Sequence, residues 1–192
     1  MKWMPLLLMW ISLSVRADTL PSSAWTPEQL MRSLAAVTAV DATFTEQKEL
    51  AILQEPLITR GILRYRAPSY LKKQILQPYT ESYEVDQDWL VIETPTEGQR
   101  HFQLRGYPLL RAFVEAIRAT LAGDLQTLER YYQVQFQGQA AGWTLRLEPG
   151  DAEMARYVLA IVIHGQDNRL LSIETLEANS DRSLMTIVPL SG

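Results

Sequence analysis

Two short runs, Val40-Asp41-Ala42-Thr43-Phe44-Thr45-Glu46 and Gly61-Ile62-Leu63-Arg64-Tyr65-Arg66-Ala67-Pro68, decide the fold class. In the first, Val40, Ala42 and Phe44 alternate with Asp41, Thr43 and Thr45. In the second, Gly61, Leu63 and Tyr65 alternate with Ile62, Arg64 and Arg66. Alternation with a period of two is the mark of a strand that buries one face. Pro68 closes the second run, because proline cannot donate to a central ladder.

The same pattern extends outward over most of the chain. Further strands are expected near 70–76, 81–86, 88–94 and 99–105, with Pro56, Pro68, Pro78 and Pro95 among the residues that separate them. Tyr132, Val134 and Phe136 alternate with glutamines, and Trp143, Leu145 and Leu147 alternate with Thr144 and Arg146. Three final runs near 156–164, 169–178 and 183–188 are joined by Gln166-Asp167-Asn168 and Asn179-Ser180-Asp181, residue types suited to turns. Two segments read as helix. Thr26, Pro27 and Gln29 supply an N-cap, a first-turn proline and a capping box, followed by Leu30, Leu34 and Val37 on one side. Residues 108–131 carry Leu109, Phe113 and Ile117 four apart, with a stop or kink at Gly123-Asp124. The expected class is therefore α+β, mostly antiparallel, with about ten or eleven strands. Such a meander must cover its apolar face with a second sheet, by closing, or with helices. An apolar hollow left incompletely filled is a lipid site.

Residues 1–17, MKWMPLLLMWISLSVRA, read as a secretory signal: Lys2 as the positive start, Trp3 to Val15 as the apolar core, and Val15 and Ala17 as small residues before the cut. Cleavage after Ala17 leaves 18–192 as one domain, and the loss of Lys2 and Arg16 takes the formal charge from −4 to −6. A spanning helix needs about 20 apolar residues, and this run stops at Arg16. An acidic domain with no basic run is a poor ligand for nucleic acid. The chain has no cysteine, which excludes disulfides, thiol chemistry and a lipoprotein cleavage site.

Catalytic signals are sparse. His101 and His164 sit in no recognisable motif, no Gly-x-Ser-x-Gly elbow or glycine-rich phosphate loop occurs, and no ligand spacing suggests a metal. Glu46 and Glu49 with Lys48, and Glu81 with Glu84, read as solvated strand edges.

The order of helix, strands, helix and strands resembles the periplasmic lipoprotein carriers of the LolA family. Val40 to Glu46 is similar to that family's first strand, and Gly61 to Pro68 to its Gly-x-Leu-x-x-x-x-Pro second strand and turn. Pro78 followed by Asp86-Gln87-Asp88-Trp89-Leu90 is similar to a Pro and Asp-Gly pair there, with the glycine replaced. The resemblance implies an incomplete, unclosed β-barrel with helices as a lid over a hollow for acyl chains. It implies a cofactor-free monomer in the periplasm whose cargo is an acylated lipoprotein or lipid. An inner-membrane donor and an outer-membrane acceptor would be its partners. It also implies a lid-latching arginine directly before the turn proline. Ala67 stands there, so the candidate latch is Arg66, whose side chain a one-residue offset turns to the opposite face.

Alternation within that frame selects the lipid-facing candidates: Phe44, Leu63, Tyr65, Tyr83, Leu90, Ile92, Phe102 and Leu104 from the sheet, and Leu110, Phe113 and Ile117 from the covering helix. Packed core is the alternative for each of them. The function expected is a carrier shuttling acyl chains between membranes. The rivals are an interaction module of the same fold that senses lipoproteins or a membrane-protein loop, and an enzyme acting on lipids.

Overall fold

The structure, a computed structural model, describes residues 25–190. The expected signal peptide, its cleavage after Ala17 and the polar leader lie outside the described residues.

Helix α1 (Pro27–Ala35) opens with the expected capping box: Gln29 N–H donates to Thr26 Oγ1 at 3.3 Å and Thr26 N–H donates to Gln29 Oε1 at 3.0 Å. It ends at Ala35, two residues before Val37, and buries Leu30, Met31 and Leu34. Six strands follow: β1 (Ala39–Glu49), β2 (Leu57–Arg66), β3 (Tyr70–Gln77), β4 (Glu81–Asp86), β5 (Trp89–Thr94) and β6 (Gly98–Gln103). The last stops short of the expected 105, because Leu104–Gly106 winds into a 3₁₀ turn that leads into α2 (Pro108–Ala122). Gly123 and Asp124 make a full break, and α3 (Leu125–Tyr131) begins anew, with the Asp124 carboxylate accepting from Thr127 N–H at 2.9 Å and Thr127 Oγ1 at 2.6 Å. The expected central helix is therefore two helices. Strands β7 (Tyr132–Gln139), β8 (Gly142–Pro149), β9 (Val158–Gln166), β10 (Arg169–Glu177) and β11 (Arg182–Pro189) complete the chain.

All eleven strands form one antiparallel sheet in the order β6-β5-β4-β3-β2-β1-β11-β10-β9-β8-β7. The chain's second half folds back so that β11 pairs with β1, and the sheet remains unclosed with β6 and β7 at its edges. Register aligns side chains into rows on the inner face. Val40, Tyr65, Leu71, Val85, Leu90 and Phe102 form one row, and Ala42, Leu63, Lys73, Tyr83, Ile92 and Arg100 the next. On the other half, Met185, Ile173, Ile163, Leu145 and Phe136 continue from Glu46.

Apolar packing on this face divides in two. One cluster joins the three helices to the β7–β10 half, through Leu30, Leu34, Leu128, Leu145, Leu147 and Ile163 among others. Ala112, Ala116 and Ala119, spaced along one stripe of α2, belong to it and let that helix approach closely. A smaller cluster of Val85, Leu90 and Leu104 packs with Leu110 and Val114 at the β4–β6 end. Helix α2 thus has two apolar sides: its alanines touch the first core, while Phe113 and Ile117, both half-buried, flank a gap between helix and sheet.

Candidate functional site

That gap is a cavity of about 970 Å³. It runs between the inner face of β1–β5, the inner face of β9–β11, and one side of α2. This is near the top of the roughly 300–1,000 Å³ range of small-molecule pockets. Its walls are mainly aliphatic and aromatic. Leu63, Tyr65, Tyr83 and Leu90 line it from the sheet, and Leu110, Phe113 and Ile117 from α2. All seven are candidates from the sequence; of the four-residue series Leu109, Phe113 and Ile117 on α2 only the last two line the cavity, together with Leu110 beside it. Val37, just past the end of α1, lines it as well.

Four other sequence candidates do not line it. Phe44 is on the inner face, but it lies over Gly61, where a Cβ would come within 2.8 Å of its ring and 1.9 Å of the Gln74 carbonyl oxygen. Phe44 is therefore packed flat at the sheet floor. Ile92 and Phe102 pack into the β4–β6 cluster, and the Phe102 ring meets Tyr107 edge-on with centroids 5.6 Å apart. Leu104 is wholly buried in the 3₁₀ turn rather than on a strand. Val114, Leu121, Ile161, Ile173, Met185 and Ile187 line the cavity without having been singled out. Those on β9 and β11 come from the half of the chain whose pairing with β1 has no local signal.

Arg66 does not reach a helix. Its guanidinium donates to the Asp41 carboxylate at 2.8 Å and to the carbonyls of Val40 at 3.1 Å and Tyr65 at 2.7 Å, holding β2 to β1. That hydrogen bond holds the Asp41 carboxyl below its ordinary range. The latch reading of Arg66 is corrected accordingly. Helix α2 is tied to the sheet by Arg118, which pairs with Glu115 and donates to the carbonyl of Gln87 in the β4–β5 turn, and by the Tyr132 hydroxyl of β7, which donates to the Ala112 carbonyl at 2.8 Å. Gln87 has φ 52°, a left-handed turn conformation that favours glycine.

Polar groups concentrate at one end of the inner face. Lys73 lines both the large cavity and an adjoining hollow of about 240 Å³. Its ammonium meets the Glu46 carboxylate at 2.7 Å and lies 5.1 Å above the Phe44 ring. Glu46 is buried and also accepts from Ser183 Oγ at 2.8 Å and Thr59 Oγ1 at 3.3 Å. It is not the solvated strand-edge residue expected from the sequence, because Thr59, Lys73 and Ser183 from three other strands converge on its carboxylate. Burial pushes the Glu46 carboxyl up, but the Lys73 and Lys48 ammoniums and the Ser183 hydroxyl outweigh that and hold it below its ordinary 4.5. Burial pushes Lys73 below its ordinary 10.5 against the pull of Glu46. Tyr65 is 2% exposed, and its hydroxyl has no hydrogen-bond partner among the described residues. Burial pushes the Tyr65 and Tyr83 phenols up.

Neither histidine faces this space. His164 Nδ1 is 2.9 Å from Thr144 Oγ1 on the outer side of the sheet, and His101 is exposed on β6. Among the described residues no three His, Asp or Glu side chains come together as a metal site, and no helix is long and apolar enough to cross a membrane.

No curated protein sequence matches the chain. Among solved structures it is similar to a LolA superfamily protein from Nitrosomonas europaea, with 9% identity and a TM-score of 0.47 over 88% of this chain and 95% of that one. A DUF1329 family protein from Desulfovibrio piger aligns with 10% identity and a TM-score of 0.48, over 84% and 89% of the two chains. The MucA/MucB complex of Pseudomonas aeruginosa gives 12% identity and a TM-score of 0.45, over 84% of this chain and 55% of that one. The family model described as outer membrane lipoprotein carrier protein LolA-like matches residues 20–188, so the chain belongs to that LolA-like family.

Proposed function

We propose that this protein is a periplasmic carrier that takes up acyl chains of lipoproteins or lipids in the cavity beneath α2. It would move them from a donor at the inner membrane to an acceptor at the outer membrane, after a signal peptide is removed following Ala17. The observation that carries this reading is the cavity of about 970 Å³ left between two separate apolar clusters. Burying apolar chain gains about 0.8 kcal/mol per CH₂, so six methylenes contribute about 5 kcal/mol without any cofactor. A wall of half-buried aliphatic side chains on a helix and a curved sheet suits chains of varied shape.

Displacement of the uncharged dye N-phenyl-1-naphthylamine from residues 18–192 by a monoacylglycerol tests the reading. Saturable displacement is expected, weakened at least tenfold by Phe113→Asp or Leu90→Asp, because each places a carboxylate in the apolar wall. Absence of saturable dye or lipid binding by the folded native protein would overturn it. Recovery of a stable stoichiometric protein complex from envelope extract, in place of exchangeable lipid, would favour the sensing module over the carrier.

A further inference from the structure

The connection between β1 and β2, residues 50–56, carries Ile52 and Leu53 at its tip, 89% and 50% exposed. Isolated exposed apolar side chains are ordinary on a soluble protein, but adjacent ones grouped with others at one end mark a contact surface. The loop is held in place. Ala51 N–H donates to the Asp181 carboxylate of the β10–β11 turn at 2.7 Å, and Leu53 N–H donates to the Leu50 carbonyl at 2.9 Å. Three more exposed apolar side chains share this end of the sheet: Ile58 near the start of β2, Leu76 near the end of β3, and Tyr79 in the turn that follows. The pairing of Arg60 with Gln77 sets the start of β2 beside the end of β3.

Two observations point to a lipid surface as the partner. The first is continuity with the cavity. Leu57 and Tyr79 line the hollow of about 240 Å³, whose Lys73 and Tyr83 also line the large cavity. A bilayer seated on Ile52 and Leu53 therefore lies at the end where this chain of spaces begins. The second is charge. Lys48 and Arg182 stand against Glu49, Glu55 and Asp181 around the loop. Without an excess of positive charge the loop has no hold on anionic head groups, so its contact is apolar and suits a zwitterionic bilayer. Tyr79 adds an amphipathic ring of the kind that sits at head-group depth.

We propose that the β1–β2 loop is a membrane-contact tip, with Ile52 and Leu53 as the inserted side chains, that seats this end of the protein on a zwitterionic bilayer. Two side chains make a shallow contact that is readily reversed, so the protein can leave the surface again. The choice of lipid as occupant rests on the acyl-carrier reading above, while the surface adds a site outside the cavity.

Cosedimentation of residues 18–192 with sucrose-loaded phosphatidylcholine vesicles measures the contact. Native protein is expected to partition onto the vesicles, with little change when salt is raised from about 0.1 M to about 1 M. Ile52→Asp with Leu53→Asp is expected to lower that partition at least tenfold, since each change removes a large apolar group and adds a charge. Val188→Asp, exposed toward the other end of β11, is expected to leave it unchanged. The Ile52→Trp protein is expected to gain blue-shifted emission on adding vesicles and to be quenched by brominated phosphatidylcholine. This second measurement decides alone if circular dichroism shows the double variant unfolded. A partition unmoved by the double change, or Ile52→Trp emission indifferent to vesicles, overturns the proposal. Dimerisation abolished by the double change, without vesicle binding, assigns the tip to a second copy and also overturns it. Displacement of N-phenyl-1-naphthylamine in vesicle-free solution separates the two readings, because neither Ile52 nor Leu53 lines the cavity. Native protein that binds dye yet stays off the vesicles overturns the tip alone. Native protein that binds vesicles through this loop but takes up no dye supports the tip and fails the carrier reading.

Discussion

The Lys73–Glu46 pair has a stability consequence that follows from its burial. Lys73 and Glu46 side chains are 24% and 7% exposed, so removing one leaves the other charged and poorly solvated. Glu46→Gln is expected to cost roughly 3 kcal/mol at about pH 7, measured by urea unfolding. The sign with pH is fixed by the direction of the shift. The folded carboxyl titrates below the ordinary 4.5, so its contribution is present above that value and is lost as pH falls through the lower folded one. The gap between native and variant should therefore narrow as pH falls below 4.5 and close once it passes the lower folded value, where Glu46 is protonated in both states. A gap that stays constant with pH would show that the two charges do not interact. The sequence revealed only which face Glu46 shares with Phe44. Its burial depends on Ser183 from β11 and Thr59 from β2, contacts that no local spacing announces.

Among the elements, the α2–α3 joint shows what local sequence can and cannot specify. Gly123-Asp124 was legible as a break because glycine supplies a left-handed cap and aspartate an N-cap. Gly123 does adopt φ 68°, but α1 also presses against it: a Cβ there would come within 2.1 Å of the Met31 carbonyl oxygen and 2.8 Å of Ala35 Cβ. Gly123→Ala thus combines an unfavourable φ with a clash against backbone. The expected loss is about 2–4 kcal/mol in urea unfolding, from about 1 kcal/mol of conformational strain and the remainder from displacing α1. A loss below about 1 kcal/mol would mean that α1 shifts freely. Arg118 was not legible at all, since an arginine three residues after a glutamate is an ordinary helix-surface pair. It is functional in the fold because the Gln87 carbonyl turns out to sit opposite. Arg118→Met leaves the buried Glu115 only the longer 3.9 Å pairing with Arg111 and should cost about 3 kcal/mol, whereas Arg118→Met with Glu115→Met should recover most of that. Equal losses in the two proteins would put the stabilisation in the Gln87 contact rather than in the ion pair.

At the scale of the whole molecule, the eleven strands were readable one by one, yet the cavity belongs to none of them. It arises because β11 closes back on β1 and because the three helices pack chiefly over the β7–β10 half. Alternation placed Leu63, Tyr65 and Leu90 on the correct face, but it could not separate them from Phe44 or Ile92, which share that face and are packed away. Period specifies a side, while curvature and helix placement specify which part of that side stays unfilled. An unfilled apolar space forgoes dispersion contacts that a packed core would have. This leads to a prediction about the molecule as a trade between stability and binding. Val114→Phe combined with Ile173→Phe, one from each wall, adds bulk to the cavity without introducing polarity. In the absence of lipid this variant should be more stable by about 1–2 kcal/mol, a rise in Tm of roughly 2–8 °C for a domain of this size. A neutral acyl ligand at about 100 times its Kd stabilises the native protein by about 2.7 kcal/mol. The filled variant should lose most of that ligand-dependent rise. Calorimetry with and without monolaurin reads both effects in one experiment. Higher Tm with an undiminished ligand response would place the acyl chain elsewhere on the molecule. Lower Tm without ligand would show that the cavity walls are rigid and already packed to their own limit.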